Sequence, residues 1–250
     1  MAILLSGNLR ADVVSGNNLL LAFHGYYEEI NYHIVLGDGG LMRPGNKKKD
    51  YSTFKTLSFR PFPVLCLSGS HEPAHGLKNI DEVDIGLGEP VLKIHDNPFV
   101  AYLKRGKVYT INGIKFLVLG GALSLHTDKT RHKNGHWSEQ EKNDLYRLLE
   151  TDNKFDFVIS NTGPRFINDF LFKDASFYNE KSSDEIAIFY DEIHSKIQFI
   201  EWWCGHRRND IYYYDEKTER GYQYLHRRVR ILEKADNKFI LINEYGMLNR

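Results

Sequence analysis

The sequence predicts an α/β fold in which β-sheet forms the interior and helices cover it. Short apolar stretches recur, and each ends in glycine and polar residues: AILLSGN, HIVLGDGG, VLCLSGSHE, KFLVLGGAL, FDFVISNTGP and FIEWWCGH. Helix-like segments separate several of these stretches. No repeat, low-complexity tract or linker interrupts the pattern, so we expect one domain over residues 1–250.

The apolar stretches predict buried strands, because a partly solvated strand would alternate apolar and polar residues. Asn112-Gly113 stands between two such runs and predicts a hairpin. The tail segments YQYLHRRVRILE and KFILINEYG predict two further strands. Helices are predicted at about 18–30, 47–58, 138–150 and 183–196, and Ser138 with Glu141 forms a capping box at the start of the third.

Composition limits the partners and the compartment. Lysine plus arginine and aspartate plus glutamate each number 33 of 250 residues, so no global field draws the chain to nucleic acid or anionic membrane. Cys66 and Cys204 each lie in an apolar run, which is typical of buried thiols in a reducing compartment. Neither a secretory signal nor an apolar run of about 18 residues is present, so we expect a cytoplasmic protein without a membrane partner.

Polar side chains follow most of the predicted strands. Ligands of layered α/β folds bind at the carboxyl ends of strands, where such residues converge. A shared site is one interpretation, and a set of unrelated turns is the other, because Asn, Asp and Ser are also common turn residues. The candidates are Asn8, Arg10, Asp38, Ser70, His71, Asn161, His206, Arg207 and Arg208.

The order and spacing of these residues resemble the calcineurin-like metallophosphoesterases. The segments are GNLR (7–10), GDGG (37–40), GSHE (69–72), SNTGP (160–164) and GHRR (205–208), where the family has GDxH, GDxx, GNH(D/E), a lone His and GHxH. The stretch YLKRGKVYTINGIKFLVLGGALSLHTDKTRHKNGHW is similar to the small bacterial and phage branch. The resemblance spans about residues 1–233 and implies a two-sheet β-sandwich flanked by helices (α/β/β/α), with the site at one end of the sheets.

The resemblance also implies two divalent metals that hold a hydroxide for in-line attack on phosphorus. Only Asp38 and His206 keep their identity among the seven positions that match metal ligands; the others are Asn8, Arg10, Ser70, Asn161 and Arg208. A guanidinium cannot ligate a metal. We therefore expect no metal cofactor and no hydrolysis, and His71, which matches a phosphate-contacting His and possible general acid, is a catalytic candidate only if the protein is active.

The substitutions exchange carboxylate and imidazole for positive charge, since Arg10 and Arg208 stand with Arg207 against Asp38 alone. Arginine forms bidentate hydrogen bonds to phosphate oxygens. The sequence thus predicts a pseudoenzyme that binds a phosphorylated small molecule, a nucleotide, a cyclic nucleotide or a nucleic-acid end without cleaving it. One alternative is an active metal-dependent phosphodiesterase or phosphatase with an atypical Mn, Fe or Zn-type metal set, and another is an inert scaffold or protein-binding module.

Purely structural interpretations of the same residues stay open at this point. Arg10 could pair with Asp38, and Arg207-Arg208 could pair with Asp210 or Glu219. The basic run HRRVR (226–230) and the alternating tyrosines 212–214 are weak signs of nucleic-acid binding. His126, His132 and His136 with Asp128 fit no standard metal spacing, and Trp202 and Trp203 are expected in the core. The oligomeric state does not follow from the sequence.

Overall fold

A computed structural model of the protein describes residues 1–7, 29–39, 61–70, 77, 80–96, 99–122, 135–173, 184–206, 209–226, 228–235, 238–241 and 245–246. The strands are β1 (Ala2–Ser6), β2 (Ile30–Val35), β3 (Val64–Cys66), β4 (Glu82–Val83), β5 (Val91–His95), β6 (Val100–Tyr102), β7 (Lys107–Ile111), β8 (Ile114–Leu119), β9 (Phe157–Ser160), β10 (Glu201–Cys204), β11 (Ile211–Asp215), β12 (Arg220–Tyr224), β13 (Arg228–Ala235), β14 (Lys238–Leu241) and β15 (Tyr245–Gly246). The helices are α1 (Glu139–Thr151), α2 (Arg165–Phe172) and α3 (Glu185–Lys196).

Two mixed sheets form from the strands of the described ranges. The larger has the order β14-β13-β1-β2-β3-β6-β5-β4, with β15 also paired to β13, and the smaller has the order β11-β12-β10-β9-β8-β7. β1, β2, β3 and β6 run parallel to one another, as do β8, β9, β10 and β12. Each sheet therefore has one end at which the carboxyl termini of its parallel central strands lie side by side.

Apolar side chains between the sheets form the main core. Trp203 of β10 packs there with Phe157 and Phe116, and its ring meets that of Phe157 at a centroid distance of 5.5 Å. Trp202, the next residue, points to the opposite face of the same strand and packs among the helices. Both tryptophans are at most 1% exposed, which confirms the prediction that they are core residues.

Helices cover the outer face of the smaller sheet. α1 begins at the predicted capping box, in which Ser138 and Glu141 exchange hydrogen bonds. α3 begins after Asp184, whose side chain accepts a hydrogen bond from the main-chain N–H of Ala187. α2 was not predicted, because its eight residues follow a Gly-Pro pair that is typical of a loop. No helix in the described ranges is long and apolar enough to cross a membrane.

The strand predictions are confirmed at all six apolar stretches. The hairpin is confirmed as well, since Asn112 and Gly113 have φ of 51° and 73°, the left-handed values of a type I′ turn. The first tail segment does not form the single predicted strand, because it contains part of β12 and most of β13, with residues 225 and 226 outside both strands; the second segment contains β14 and β15. The helix predicted at 47–58 lies outside the described residues, and so does 18–30 except for its end, where Ile30 begins β2.

Both cysteines are buried and form no disulfide, as the sequence predicted. Cys66 ends β3 and Cys204 ends β10, and each is 1% exposed. The thiol of Cys204 lies 3.5 Å from the hydroxyl of Ser160 on the neighbouring strand. Each thiol therefore serves as a small packing group in the described structure.

Candidate functional site

Four of the predicted site residues meet where the carboxyl ends of the two sheets face each other. Asp38 follows β2 and Ser70 follows β3 in the larger sheet, whereas Asn161 follows β9 and His206 follows β10 in the smaller sheet. Asp38, Ser70 and Asn161 are fully buried, and His206 is 8% exposed. The structure therefore brings these four predicted site residues together, and their role as a binding site stays a prediction.

The carboxylate of Asp38 is the centre of the cluster. The hydroxyl of Ser70 donates to its two oxygens at 3.1 and 3.2 Å. The Nδ1 atom of His206 lies 3.2 Å from Oδ2. When Asp38 is ionised, its carboxylate only accepts hydrogen bonds, and Nδ1 of His206 is then the donor. Asp38 itself has the left-handed φ of 50°, which turns its side chain back toward the strand ends.

Asn161 joins the two sheets through both its side chain and its main chain. Its Nδ2 atom donates to the main-chain oxygen of Leu36, at the end of β2, at 2.9 Å. Its main-chain oxygen accepts from the N–H groups of Gly205 and His206 at 3.1 and 2.7 Å. The position of His206 relative to Asp38 is thus set by backbone hydrogen bonds.

Glycine is required at two points where the chain passes close to these side chains. At Gly37, which has φ of 85°, a Cβ atom would lie 2.3 Å from Nδ2 of Asn161. At Gly69, a Cβ atom would lie 2.5 Å from Oδ1 of Asp38. Either side chain would displace a site residue, because real Cβ atoms do not approach within 3.0 Å.

Two polar atoms of the cluster are buried and have no hydrogen-bond partner among the described residues: Oδ1 of Asn161 and Nε2 of His206. The amide oxygen is an acceptor, and Nε2 is an acceptor too in the neutral imidazole whose hydrogen is on Nδ1, whereas both ring nitrogens are donors in the imidazolium. With a neutral His206, these two atoms and the carboxylate of Asp38 are all acceptors. Such atoms are rare in folded proteins, where a bound water, a bound ion or a functional role usually accounts for them.

A buried network behind the site holds the Asn161 loop, and the sequence reasoning missed it. The hydroxyl of Tyr224 donates to Oδ1 of Asn168 at 2.8 Å, and Nδ2 of Asn168 donates to the main-chain oxygen of Gly163 at 2.9 Å. Asn168 is 1% exposed within the otherwise apolar face of α2. A polar residue in the apolar stripe of RFINDFLF was the available signal.

The remaining predicted site residues lie outside the described residues: Asn8, Arg10, His71, Arg207 and Arg208. His126, His132 and Asp128 also lie outside them, whereas Nδ1 of His136 lies 3.6 Å from a carboxylate oxygen of Glu185. The side chain of Asp210 accepts from the main-chain N–H groups of His226 and Arg228 at 2.7 and 2.9 Å. The expectation that three arginines surround Asp38 stays a prediction.

Comparison with solved structures places this architecture among known folds. A dimetal phosphatase from Danio rerio aligns with 99% of this chain and 96% of its own, at 11% identity and a TM-score of 0.52. The chain has a metallophosphoesterase fold. TT1561 of Thermus thermophilus aligns with a TM-score of 0.53 at 13% identity over 97% of this chain and 98% of its own, and another crystal structure reaches 0.60 at 10% identity over 99% of both. No protein-family model and no curated protein matches the sequence.

The resemblance of the sequence motifs to the metallophosphoesterases implies a pair of metal ions beside Asp38, which would require several ligands among the neighbouring residues. No group of three His, Cys, Asp or Glu side chains that could hold a metal ion occurs within the described ranges. Asp38 and His206 are hydrogen-bonded to each other, and the amide oxygen of Asn161 is the third donor nearby. Three such donors do not fit a two-metal centre, which needs several charged ligands for each ion.

Proposed function

We propose that this metallophosphoesterase-fold protein binds a phosphate-containing ligand in an arginine-lined pocket beside Asp38 and does not hydrolyse it. The ligand is a nucleotide, a cyclic nucleotide or a nucleic-acid end. The observation that supports the proposal is the buried cluster of Asp38, Asn161 and His206, because the described residues around it include no group of three His, Cys, Asp or Glu side chains that could hold a metal ion.

The proposed lack of hydrolysis follows from what two-metal catalysis requires. The ions lower the pKa of a bound water and stabilise the charge on the attacked phosphate. Asp38 and His206 already satisfy each other at 3.2 Å, and Ser70 occupies the position of an amide ligand. Without the ions, neither a hydroxide nor a charge clamp for the transition state is supplied at this position.

The proposed affinity for phosphate depends on Arg10 and Arg208. Each stands where the family has a neutral metal ligand, and Arg207 is adjacent. A guanidinium has five N–H donors. One edge can donate to the acceptors that Asn161 and His206 leave unsatisfied, while the other forms two parallel hydrogen bonds to a phosphate. The acceptor cluster would then orient the arginines.

A second candidate function is favoured by the same unsatisfied atoms. Oδ1 of Asn161 and Nε2 of His206 lie beside a carboxylate and could also bind a single cation. Asn8 and His71 would have to supply further donors. In that case the protein is a metal-dependent phosphodiesterase or phosphatase with an atypical metal set.

A thermal-shift screen against nucleotides and cyclic nucleotides tests the proposal. A ligand with Kd near 1 μM, present at about 100 μM, stabilises a protein by about 2.7 kcal/mol. We expect such a shift for at least one ligand, and we expect Arg10→Ala and Arg208→Ala each to remove it. Arg147→Ala is the matched control, because that arginine lies on α1 with its side chain 74% exposed and should leave the shift intact.

Metal content and hydrolysis separate the candidates. Under the proposal, the purified protein contains no stoichiometric Mn, Fe, Zn or Ni, and an aryl phosphodiester stays intact when Mn²⁺ is added. Stoichiometric metal, or Mn²⁺-dependent hydrolysis that Asp38→Ala abolishes, would establish the second candidate. A protein that binds neither metal nor any phosphorylated ligand would be an inert scaffold.

A further inference from the structure

A cavity of about 480 Å³ lies at the same end of the larger sheet as the candidate site. One wall includes Ser68, which follows β3 two residues before Ser70, so the two Cα atoms are at most about 7 Å apart. Leu103 and Gly106, in the loop after β6, continue this wall. Ser138, the N-cap of α1, contributes to the opposite side. The cavity is thus within reach of a ligand whose phosphate lies beside Asp38.

Two of the cations that line the cavity, Arg105 and Lys104, are already hydrogen-bonded to carboxylates. The guanidinium of Arg105 donates to both carboxylate oxygens of Glu141 at 2.6 and 2.8 Å. It also donates to the main-chain oxygens of Gly135 and His136 at 3.1 and 2.7 Å. Nζ of Lys104 donates to Glu82 at 2.8 Å. A second anionic group would have to displace these carboxylates, so the cavity favours an uncharged occupant.

The cavity combines apolar surface with a polar rim. Leu77, Ile80, Leu92 and Leu103 provide the apolar surface. The hydroxyl groups of the lining serines and the paired ions form the rim. A sugar would leave the leucines against polar groups, and an alkyl chain would remove water from the rim without replacing its hydrogen bonds. A flat heteroaromatic ring has apolar faces and polar edges and matches both surfaces.

We propose that this cavity receives the organic part of the phosphate ligand, and that this part is the base of a nucleotide. The inference rests on the proposed function, because it needs the phosphate to lie beside Asp38. The cavity volume is within the range of about 300 to 1,000 Å³ that is typical of small-molecule pockets. The proposal narrows the ligand to a nucleoside phosphate whose base contacts the loop after β6.

Isothermal titration calorimetry with a graded set of ligands tests this inference. The set is the four ribonucleoside 5′-monophosphates, ribose 5-phosphate and inorganic phosphate. We expect at least one nucleotide to bind about tenfold or more tightly than ribose 5-phosphate. Leu92 and Ile80 both line the cavity, and a larger side chain at either position would fill it. Leu92→Trp and Ile80→Trp should each remove this preference and leave the affinity for ribose 5-phosphate within about twofold of the unmodified protein's value. Ile94→Trp, on the same strand but outside the cavity lining, is the matched control and should keep the preference.

The outcomes distinguish this inference from the proposed function. If ribose 5-phosphate binds as tightly as every nucleotide, or if both cavity-filling variants keep the preference, the phosphate site stands and the base site is refuted. If none of the ligands binds, the base site is refuted, and the thermal-shift screen with cyclic nucleotides then decides the proposed function separately. Circular dichroism of each variant shows whether it is folded. Because Leu92 and Ile80 are two independent positions, a loss of the nucleotide preference can be measured even if one variant does not fold.

Discussion

The main-chain oxygen of Asn161 accepts a hydrogen bond from the main-chain N–H of His206 at 2.7 Å. Two loops at the ends of neighbouring strands are thereby fixed to each other, and the side chain of Asn161 extends the link to Leu36 of the other sheet. The geometry of the candidate site consequently depends on main-chain hydrogen bonds between the loops together with side-chain hydrogen bonds between the sheets.

Replacing Gly37 tests how closely the backbone approaches Asn161. Gly37→Ala should lower the free energy of unfolding by at least about 2 kcal/mol more than Gly86→Ala. Both glycines have positive φ, of 85° and 78°, so the backbone strain of about 1 to 2 kcal/mol is common to both. A Cβ atom at Gly37 would lie 2.3 Å from Nδ2 of Asn161, whereas a Cβ atom at Gly86 would have no other atom within 4 Å. Urea unfolding of the two variants measures the difference, and equal costs would contradict the described packing.

A double-mutant cycle tests the network behind the Asn161 loop. A Cβ atom at Gly163 would lie 2.1 Å from the hydroxyl oxygen of Tyr224. Gly163→Ala should therefore be strongly destabilising, and Tyr224→Phe alone should cost about 1 to 3 kcal/mol, because Asn168 loses a donor. The double variant should be more stable than the sum of the single costs predicts, by about 1 to 2 kcal/mol. Strict additivity of the unfolding free energies would show that the two residues do not meet.

Stability at acid pH should depend on His194. Burial, and then the charge of Arg220, lowers the pKa of His194 from 6.5 to about 4. Between pH 6.5 and about pH 4, the unfolded chain therefore binds a proton at His194 that the folded protein does not bind. The free energy of unfolding is consequently largest above about pH 6.5 and falls as the pH is lowered toward 4.

His194→Gln should make the unfolding midpoint less sensitive to pH in this window than it is in the unmodified protein. Thermal unfolding from pH 7.5 to 4.5 measures the effect, and an NMR titration of the imidazole signals checks its cause. If the imidazole signal that is lost in His194→Gln titrates near pH 6.5 in the folded protein, the lowered pKa of His194 is refuted.

Chelation should leave the protein unaffected if arginines take the place of metal ions. Dialysis against EDTA and then against metal-free buffer should not change the unfolding midpoint or the nucleotide-induced shift. Alkaline phosphatase, a metal-dependent enzyme, is a positive control for the chelation. A fall in the midpoint that Mn²⁺ restores would instead favour the single-cation candidate.

Local rules were sufficient to predict most of the fold. The capping box at Ser138, the hairpin at Asn112-Gly113 and the buried strands each depend on residues within a few positions of one another. The short helix α2 was missed because its stability comes from packing, through Ile167 and Phe172, rather than from its own sequence. The tail was divided wrongly because apolar and polar residues run without clear alternation between 222 and 246.

The candidate site was predictable as a set of residue types but not as a geometry. The motif spacing indicated Asp38, Ser70, Asn161 and His206, and these residues meet. The hydrogen bond from Asn161 to Leu36 joins the two sheets, and Oδ1 of Asn161 is left unsatisfied. Both features depend on how the sheets face each other. No pattern within one segment encodes that relation. The same reason hid Asn168, whose role depends on contacts with distant parts of the chain.

The junction between the sheets also makes the site indivisible. Asp38 and Ser70 come from the first third of the chain, and Asn161 and His206 from the last two-fifths. A fragment that ends at the hairpin of β7 and β8 would carry half of the cluster, and a fragment that starts there would carry the other half. Any one of these loops, transplanted into another scaffold, would carry only one of the four side chains, so the cluster can be altered as a unit only in the intact protein.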